Sequence, residues 1–201
     1  MAYRNTKAAL RSVSALAATQ GGYFTAKQAE EAGYRAPHLV YHVKAGNFER
    51  AGHGLYRLPT IPPSDHDDLI RITLWSRGHD DQPAAVVSHQ TALGLHELSD
   101  LIPTTIHITV PPTFRKRPPK GCIVHKTNLK PTESQDMTGF RVTTPLRTLT
   151  DLAHNPSIST EQFDRAVQDA LDRGLIRRSQ SAPLLSQRHP RTRARTQKAR
   201  R

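Results

Sequence analysis

The sequence predicts an α+β chain in three parts: a helix-and-hairpin domain over residues 1–62, an α+β domain over 63–178, and a disordered basic tail over 179–201. Two observations indicate the α+β class. Some stretches have apolar residues at helical spacing, and other stretches, between them, have apolar and polar residues in strict alternation, as in strands. A third observation indicates the tail. The last residues of the tail, 188–201, carry seven cations and no acidic or large apolar residue, so they cannot bury enough surface to offset the entropy cost of ordering.

Composition excludes several classes of protein. The chain has 201 residues and one cysteine, Cys122, so it has neither an internal disulfide nor a cysteine-based zinc set. No run of apolar residues is long enough to span a membrane, and the N-terminus lacks the apolar stretch of a signal peptide. We therefore expect a cytoplasmic protein with no membrane partner.

The charge is strongly basic and unevenly placed. Lys and Arg number 29 against 17 Asp and Glu, which gives a net charge of +12. Successive blocks carry +5 over 1–60, −5 over 61–113, +6 over 114–132, −1 over 133–187 and +7 over 188–201. Clustered cations favour a polyanion partner, here nucleic acid, although a solubilising surface with a flexible tail is the alternative.

Three helices are predicted in the first 46 residues. An amphipathic helix over 6–20 ends at Gly21-Gly22. A second, short helix begins at Thr25, where Thr25 and Gln28 have capping-box spacing, and it ends at Gly33. A third helix follows Pro37, covers 38–45 and ends at Gly46, with Leu39, Val40 and Val43 expected to face inward.

A hairpin follows, in which 48–51 and 55–58 flank Gly52-His53-Gly54. This order of elements is that of a winged helix-turn-helix, whose third helix fits the DNA major groove and whose hairpin lies along the backbone or minor groove. A fold of this kind can also bind other proteins. His38 and His42 have the spacing of a pair of metal ligands, but no third ligand is evident nearby. The candidate DNA-binding residues are Lys27, Arg35, His38, Tyr41, His42, Lys44, Arg50, His53 and Arg57.

The sequence of the second half predicts elements in the order helix, strand, helix, strands and helices. The predicted elements are a helix over 65–76, a strand over 85–87, a helix over 90–98, strands over 105–110, 122–126 and 140–142, and helices that begin at Pro145 and Thr160. Apolar and polar residues alternate strictly over 105–110, which predicts that Ile106, Ile108 and Val110 face a core and that His107 faces outward. His66 among aspartates is explained by capping, without a metal.

A proline-rich basic loop covers 111–120 and includes Arg115, Lys116 and Arg117. Its four prolines exclude a central strand, so its cations stay exposed. We count these three cations as candidate DNA contacts, with an acidic protein partner or plain solvation as alternatives.

The residues do not predict an enzyme. Ser88, His89 and His96 could suggest a nucleophile and its base, but neighbouring residues usually point apart and no Gly-x-Ser-x-Gly elbow is present. Ser88 is instead expected to cap a helix. No Asp-x-Lys or Glu-x-Lys exists to support a magnesium nuclease, and no phosphate-binding glycine loop exists. We therefore expect no catalytic residue, metal, cofactor or small-molecule substrate.

Three blocks of sequence carry a resemblance to one family. The first is residues 9–58 with Gly22-Tyr23-Phe24-Thr25 and Gly54-Leu55-Tyr56-Arg57-Leu58. The second, over 87–98, is similar to a Ser-His-x-(small)-Ala-x-x-Leu-His-(x)-Leu signature, and the third, over 143–153, to Pro-x-Arg-Thr-Leu-x-Asp-Leu-Ala. Together the blocks span about residues 9–176 and resemble the AbiEi-type antitoxins of abortive-infection (type IV toxin–antitoxin) systems.

This resemblance implies a phage-defence transcriptional regulator that binds its own promoter as double-stranded DNA through the winged helix. It also implies a second partner, a nucleotidyltransferase-like toxin, countered with help from the C-terminal part. The alternative is a stand-alone winged-helix regulator without a toxin. In the third block, Arg147 and Asp151 are one helical turn apart and are expected to pair.

Overall fold

A computed structural model describes residues 3–78, 81–100 and 103–188 of the chain. It confirms the α+β class and the N-terminal winged helix-turn-helix. Within these residues no helix has the length and apolar character needed to cross a membrane. The N-terminal elements are α1 (Tyr3–Thr19), β1 (Tyr23–Thr25), α2 (Ala26–Glu31), α3 (Ala36–Lys44), β2 (Glu49–Gly52) and β3 (Leu55–Arg57).

The three short strands form one antiparallel sheet in the order β1-β3-β2. Sequence reasoning found the hairpin β2-β3 but missed β1, because three residues are too few to show an alternating pattern. Behind the sheet, Val13 of α1 and Leu39 of α3 pack in one core with Phe24 and Phe48, whose rings meet edge to face at 5.0 Å. This core fixes α3 against the hairpin.

The second part begins with α4 (Asp67–Trp75) and is built around a five-stranded mixed sheet in the order β6-β5-β4-β8-β7. Its strands pair as β4 with β8 and β5 with β6 in parallel, and β4 with β5 and β7 with β8 antiparallel. The elements are β4 (Val86–Val87), α5 (His89–Leu95), β5 (Ile106–Val110), β6 (Cys122–Lys126), a 3-10 turn (Pro131–Glu133), β7 (Ser134–Met137), β8 (Phe140–Thr143), α6 (Pro145–Leu152), α7 (Thr160–Asp172) and α8 (Arg178–Arg188).

Helices pack on this sheet in two groups. α4 covers one part of the sheet through Ile72, which joins Ile108 and Val110 in an apolar cluster. α5 contacts β5 and β8 and also packs on α6. α6, α7 and α8 share a separate core that includes Leu149 and Phe163. The pattern follows from the amphipathic sequences of α6 and α7, which each present one apolar face.

α4 also joins the two sheets. The Tyr23 hydroxyl of β1 donates to Asp67 Oδ2 at 2.9 Å. Beyond the end of α4, Arg77 Nη2 donates to Gln20 Oε1 at 3.0 Å. Between these two polar contacts, Tyr23 and Ile70 lie in one buried cluster with Phe140 of β8. The winged helix and the five-stranded sheet therefore share part of one core.

The predicted tail differs from the structure at its start. Residues 178–188, assigned to the disordered tail from 179 onward, form helix α8 instead. Leu184 of α8 is buried in the core of α6 and α7, and Arg188 donates to the backbone carbonyls of Ala153, Asn155 and Ile158. Burial of Leu184 and these bonds offset the entropic cost of ordering this segment. Residues 189–201, the rest of the predicted tail, lie outside the described residues.

Candidate nucleic-acid interface

The third helix of the winged helix, α3, is set by its ends and by one buried residue. Pro37 lies in the first turn, where its missing N–H is tolerated, and the Arg35 backbone N–H donates to His38 Nδ1 at 3.2 Å. Leu39 is buried in the core of the winged helix. The opposite side of α3 is therefore turned away from the protein.

That outward side is partly cationic and partly apolar. The side chains of Arg35, His38 and Lys44 are exposed, as predicted for base or phosphate contacts. Tyr41 is 67% exposed, and so is Val40 at 55%, although the sequence reasoning placed Val40 inward. The prediction for Val40 was wrong because the side of α3 that packs on the core presents Leu39 and the half-buried Val43, and Val40 is not part of that core.

His42 has a different environment from the other predicted contacts. Its ring lies 4.9 Å from the Phe48 ring and 5.2 Å from the Tyr34 ring, and its Nδ1 is 3.1 Å from Asn47 Nδ2. Burial, with a smaller effect of nearby His38, lowers the pKa of His42 below its ordinary value. His42 is thus half-buried and helps to fix the end of α3, so only its remaining exposed edge can reach a ligand.

The wing, defined here as β2, β3 and the turn between them, carries the next predicted contacts. Gly54 has a φ of +64°, a conformation that glycine adopts without a steric penalty, and this turn leaves His53 exposed at the tip. Arg50 is exposed on β2 and is directed partly along its own strand, with Nε donating to the Gly52 carbonyl at 3.4 Å. Both residues are available to a nucleic-acid backbone.

Arg57 is placed differently, because its side chain is only 11% exposed. It pairs with Glu49 at 3.3 Å, donates to the Ile61 carbonyl and lies 5.9 Å from the centre of the Tyr23 ring. These contacts hold the end of the wing against the chain that leads to α4. Arg57 therefore has a structural role that sequence reasoning did not assign to it.

Lys27, in the first turn of α2, completes the set on the winged helix. It is exposed and lies beside the wing tip, since the Ala26 backbone N–H donates to the Gly54 carbonyl at 2.8 Å. The structure thus brings Lys27 and His53 together. Both line one wall of a cleft of about 1070 Å³ between the winged helix and the second part.

The basic loop forms part of the opposite wall of this cleft. Lys116 Nζ donates to the backbone carbonyls of Trp75, the last residue of α4, and of Arg77, and Arg115 donates to the Pro112 carbonyl at 3.0 Å. Cations at a helix C-terminus are favoured by the helix dipole, which explains this place for Lys116. Lys116 therefore fastens the loop to α4, while Arg117 stays exposed.

A second cluster of polar side chains was missed by sequence reasoning. The His89 and His125 rings are stacked 3.5 Å apart, and His107 Nδ1 is 3.0 Å from His125 Nε2. His107 was predicted to face outward, but it is only 8% exposed because this side of β5 is covered. The His89 ring, at the start of α5, is stacked 6.0 Å from the His107 ring on this side, and the Thr91 hydroxyl of α5 accepts from the His107 backbone N–H. We call His89, His107 and His125 the histidine stack.

His89 and His107 are buried, His125 is half-buried, and the pKa of each ring lies below its ordinary value. Burial, reinforced by the neighbouring histidines, lowers the pKa of His89 to about 3 and that of His107 to about 4. Burial also lowers the pKa of His125, although the Asp151 carboxylate acts in the opposite direction. Among the described residues, no group of three or more His, Cys, Asp or Glu side chains is arranged to hold a metal ion.

Ser88 and His89 do meet, contrary to the expectation for neighbours. His89 has a φ of +52°, and this left-handed backbone places its Nδ1 3.0 Å from Ser88 Oγ. Ser88 makes no side-chain cap bond for α5 and instead accepts from the Thr109 hydroxyl at 2.8 Å, which corrects its predicted capping role. Ser88 has no exposed surface, so a substrate cannot reach its hydroxyl in this structure.

The third sequence block forms an ion-pair group next to the stack. Arg147 Nε donates to Asp151 Oδ1 at 2.9 Å, which confirms the predicted pair, and Arg147 Nη1 donates to Glu133 Oε1 at 3.1 Å. Asp151 Oδ2 is buried and has no hydrogen-bond partner in the described part of the chain. Burial raises the pKa of Asp151 despite its bond with Arg147. This arrangement supports the structural interpretation of the block.

Comparison with known proteins agrees with these two parts. A family profile described as "Transcriptional regulator, AbiEi antitoxin" matches residues 11–59, and one described as "AbiEi antitoxin C-terminal domain" matches residues 84–200. No curated protein matches the chain significantly.

Among solved structures, the chain is similar to the RV2827C protein from Mycobacterium tuberculosis, at 19% identity and a TM-score of 0.48, over 91% of this chain and 82% of that one. The second family profile covers more than half of the chain, and the first covers its winged helix. The chain therefore belongs to the AbiEi antitoxin family of transcriptional regulators.

Proposed function

We propose that the chain is a non-enzymatic antitoxin of a type IV toxin–antitoxin system. In this role it acts in the cytoplasm, binds operator DNA in its own promoter to repress its operon, and counteracts a nucleotidyltransferase-like toxin. The outward side of α3, with Arg35 at one end and Lys44 at the other, is the observation that carries the DNA-binding part. A helix with free polar and cationic side chains is the element that winged helices place in the major groove.

The wing supplies the backbone contacts in this proposal. Arg50 and His53 are exposed on the wing, and Lys27 lies beside its tip. Arg117 is an exposed cation of the basic loop and adds to the cationic surface of the second part. Contacts of this type fix the position of the protein on the duplex without reading its sequence. We assign Arg57 and Lys116 to structural roles, since both are held by the protein itself.

Two domains divide the work in this proposal, residues 1–62 for DNA and residues 63–178 for the toxin. The family resemblance of the second part supports the toxin-facing role. The exposed residues of the first part support the DNA role.

DNA binding is tested by fluorescence anisotropy of the full chain with its promoter duplex and with a random duplex, at fixed salt. Lys44→Ala should weaken promoter binding by roughly 5- to 150-fold, as for loss of a base contact of ~1 to 3 kcal/mol. Arg50→Ala should weaken binding to both duplexes and lower the salt dependence by about 0.9 in the slope of log K against log salt. The control is Arg165→Ala, which removes an exposed cation of α7 and should change neither the affinity for the two duplexes nor the salt dependence. Wild-type affinity in both test variants would contradict the proposal.

The toxin role is tested by co-expression of the chain with the neighbouring nucleotidyltransferase-like gene. Growth rescue by the wild type and by Lys44→Ala alike supports an antitoxin whose two roles are separable. Promoter binding without rescue would instead leave a stand-alone winged-helix regulator.

A further inference from the structure

The recognition side of α3 carries an apolar surface that the polar contacts do not explain. Val40 and Tyr41 are the two most exposed large apolar side chains among the described residues, at 55% and 67%. They are adjacent in sequence and lie in the middle of the helix, one turn from Pro37 and one turn from Lys44. Apolar surface of this kind on one helix side marks a contact surface.

The surroundings of this surface indicate its occupant. Arg35 lies before it, Lys44 at the end of α3, and Arg50 on the neighbouring strand, and all three are exposed cations. The Tyr41 ring meets the edge of the His42 ring at 5.4 Å, while its hydroxyl has no hydrogen-bond partner in the part of the chain that the structure describes. An apolar centre flanked by cations is complementary to a surface with an apolar floor and anionic edges.

The DNA major groove has these properties where it contains thymine. Its edges are phosphates, and the C5-methyl group of thymine is the apolar feature on its floor. An acidic protein surface would supply the charge but does not present isolated methyl groups between two rows of anions.

We infer that Val40 and Tyr41 read thymine C5-methyl groups, which makes them specificity-determining residues of the winged helix. This inference rests on the proposed DNA-binding function and adds to it the chemical group that is recognised. The preferred site then contains thymine at one or two fixed positions under α3. His38 and Lys44 contact neighbouring polar base edges or phosphates.

The test begins with the full chain and a library of random duplexes, from which bound sequences are selected. In the selected duplex each thymine is then replaced, one at a time, by deoxyuridine, which removes the methyl group and leaves every hydrogen-bonding atom in place. Replacement at the positions under α3 should weaken binding about fourfold for each methyl. Replacement elsewhere should have little effect.

Variants of the protein complete the test. Val40→Ala and Tyr41→Ala should bind the selected duplex more weakly and should lose the difference between thymine and deoxyuridine at one position each. Both side chains are exposed, so neither change threatens the fold. The matched control is Leu10→Ala, an exposed apolar residue on α1, which should keep the full difference.

The outcomes separate the two claims. A chain that binds the selected duplex tightly but shows no loss with deoxyuridine at any position overturns the methyl inference and leaves the DNA-binding function intact. Unchanged methyl sensitivity in both variants also overturns it. Failure to bind any duplex overturns the proposed function itself, and the surface of Val40 and Tyr41 would then belong to a protein contact.

Discussion

Histidine is the residue type whose role depends most on its position in this chain. His38 and His53 are exposed on the winged helix, where they can meet a ligand. His89, His107 and His125 are packed against one another in the second part. Sequence reasoning identified the exposed ones, because their helix and turn were clear. It missed the stack, because that contact depends on the register of β5 with β6, which pairs Thr109 with His125.

The histidine stack predicts a loss of stability in mild acid. The pKa values of His89 and His107 are lowered from the ordinary 6.5 to about 3 and about 4. The unfolded chain therefore takes up protons as the pH falls through 6.5, whereas the folded chain does not until the pH nears 4. We expect the free energy of unfolding to fall by about 2 kcal/mol per histidine between pH 7.5 and pH 5.

Urea unfolding at the two pH values measures this change. In His107→Gln the fall in the free energy of unfolding between pH 7.5 and pH 5 should be smaller, since the variant lacks one histidine that stays unprotonated in the folded chain. The exposed His53→Gln is the control and should retain the wild-type loss. Equal stability of the wild type at both pH values would show that the stack is protonated in the folded state.

At the scale of elements, the short helix α2 depends on a buried pair of amides. Gln28 Nε2 donates to Gln20 Oε1 at 3.0 Å, and Gln20 Nε2 donates to Gln28 Oε1 at 3.2 Å. Gln28 Oε1 also accepts from the Thr25 backbone N–H at 2.9 Å, which completes the predicted capping box. One side chain thus begins α2 and ties it to the end of α1.

Loss of Gln28 should therefore destabilise the fold more than loss of a cap alone. Gln28→Ala removes both hydrogen bonds between the buried Gln20 and Gln28 amides together with the capping bonds of α2, and we expect a cost of roughly 2 to 4 kcal/mol. Glu30→Ala, on the exposed side of the same helix, should change stability by less than about 0.5 kcal/mol. Thermal unfolding measures the loss of stability in each variant. A similar small loss in both variants would contradict the role of the amide pair.

Elements with a strong local pattern were predictable, and those without one were not. The capping signals located α2 and α7, and β6 was predicted with its observed bounds. β7 has the sequence Ser-Gln-Asp-Met and no apolar alternation, so only its pairing with β8 makes it a strand. α8 has weak amphipathic character and is held by tertiary contacts of Leu184 and Arg188. Local propensity could not reveal either element.

At the scale of the whole molecule, the two parts share buried residues. Ile70 of α4 lies against both Gly21, after α1, and Gly139, in the turn between β7 and β8. Gly21 has a φ of +59°, a conformation that favours glycine, and a Cβ there would lie 2.5 Å from Ile70 Cδ1, so the end of the Ile70 side chain would have to shift. The sequence placed a boundary near residue 62 but could not show that α4 is buried on both sides.

This shared core predicts one cooperative unfolding transition for the whole chain. Fluorescence of Trp75, which lies on α4, and far-UV circular dichroism should give the same midpoint in urea. Ile70→Ala should lower both midpoints together, at a cost of about 2 to 5 kcal/mol, while the exposed Met137→Ala should lower neither. Two separate transitions would mean that the winged helix and the second part unfold independently.

In the proposed complex, double-stranded DNA lies across α3 and the wing. Hydrogen exchange of the full chain, measured with and without a selected duplex, tests this placement, because it reports on every segment at once. We predict slower exchange across residues 36–57 in the complex and unchanged exchange in α7, at residues 160–172. Protection confined to α6 and α7, with none in α3 or the wing, would show that DNA does not lie there.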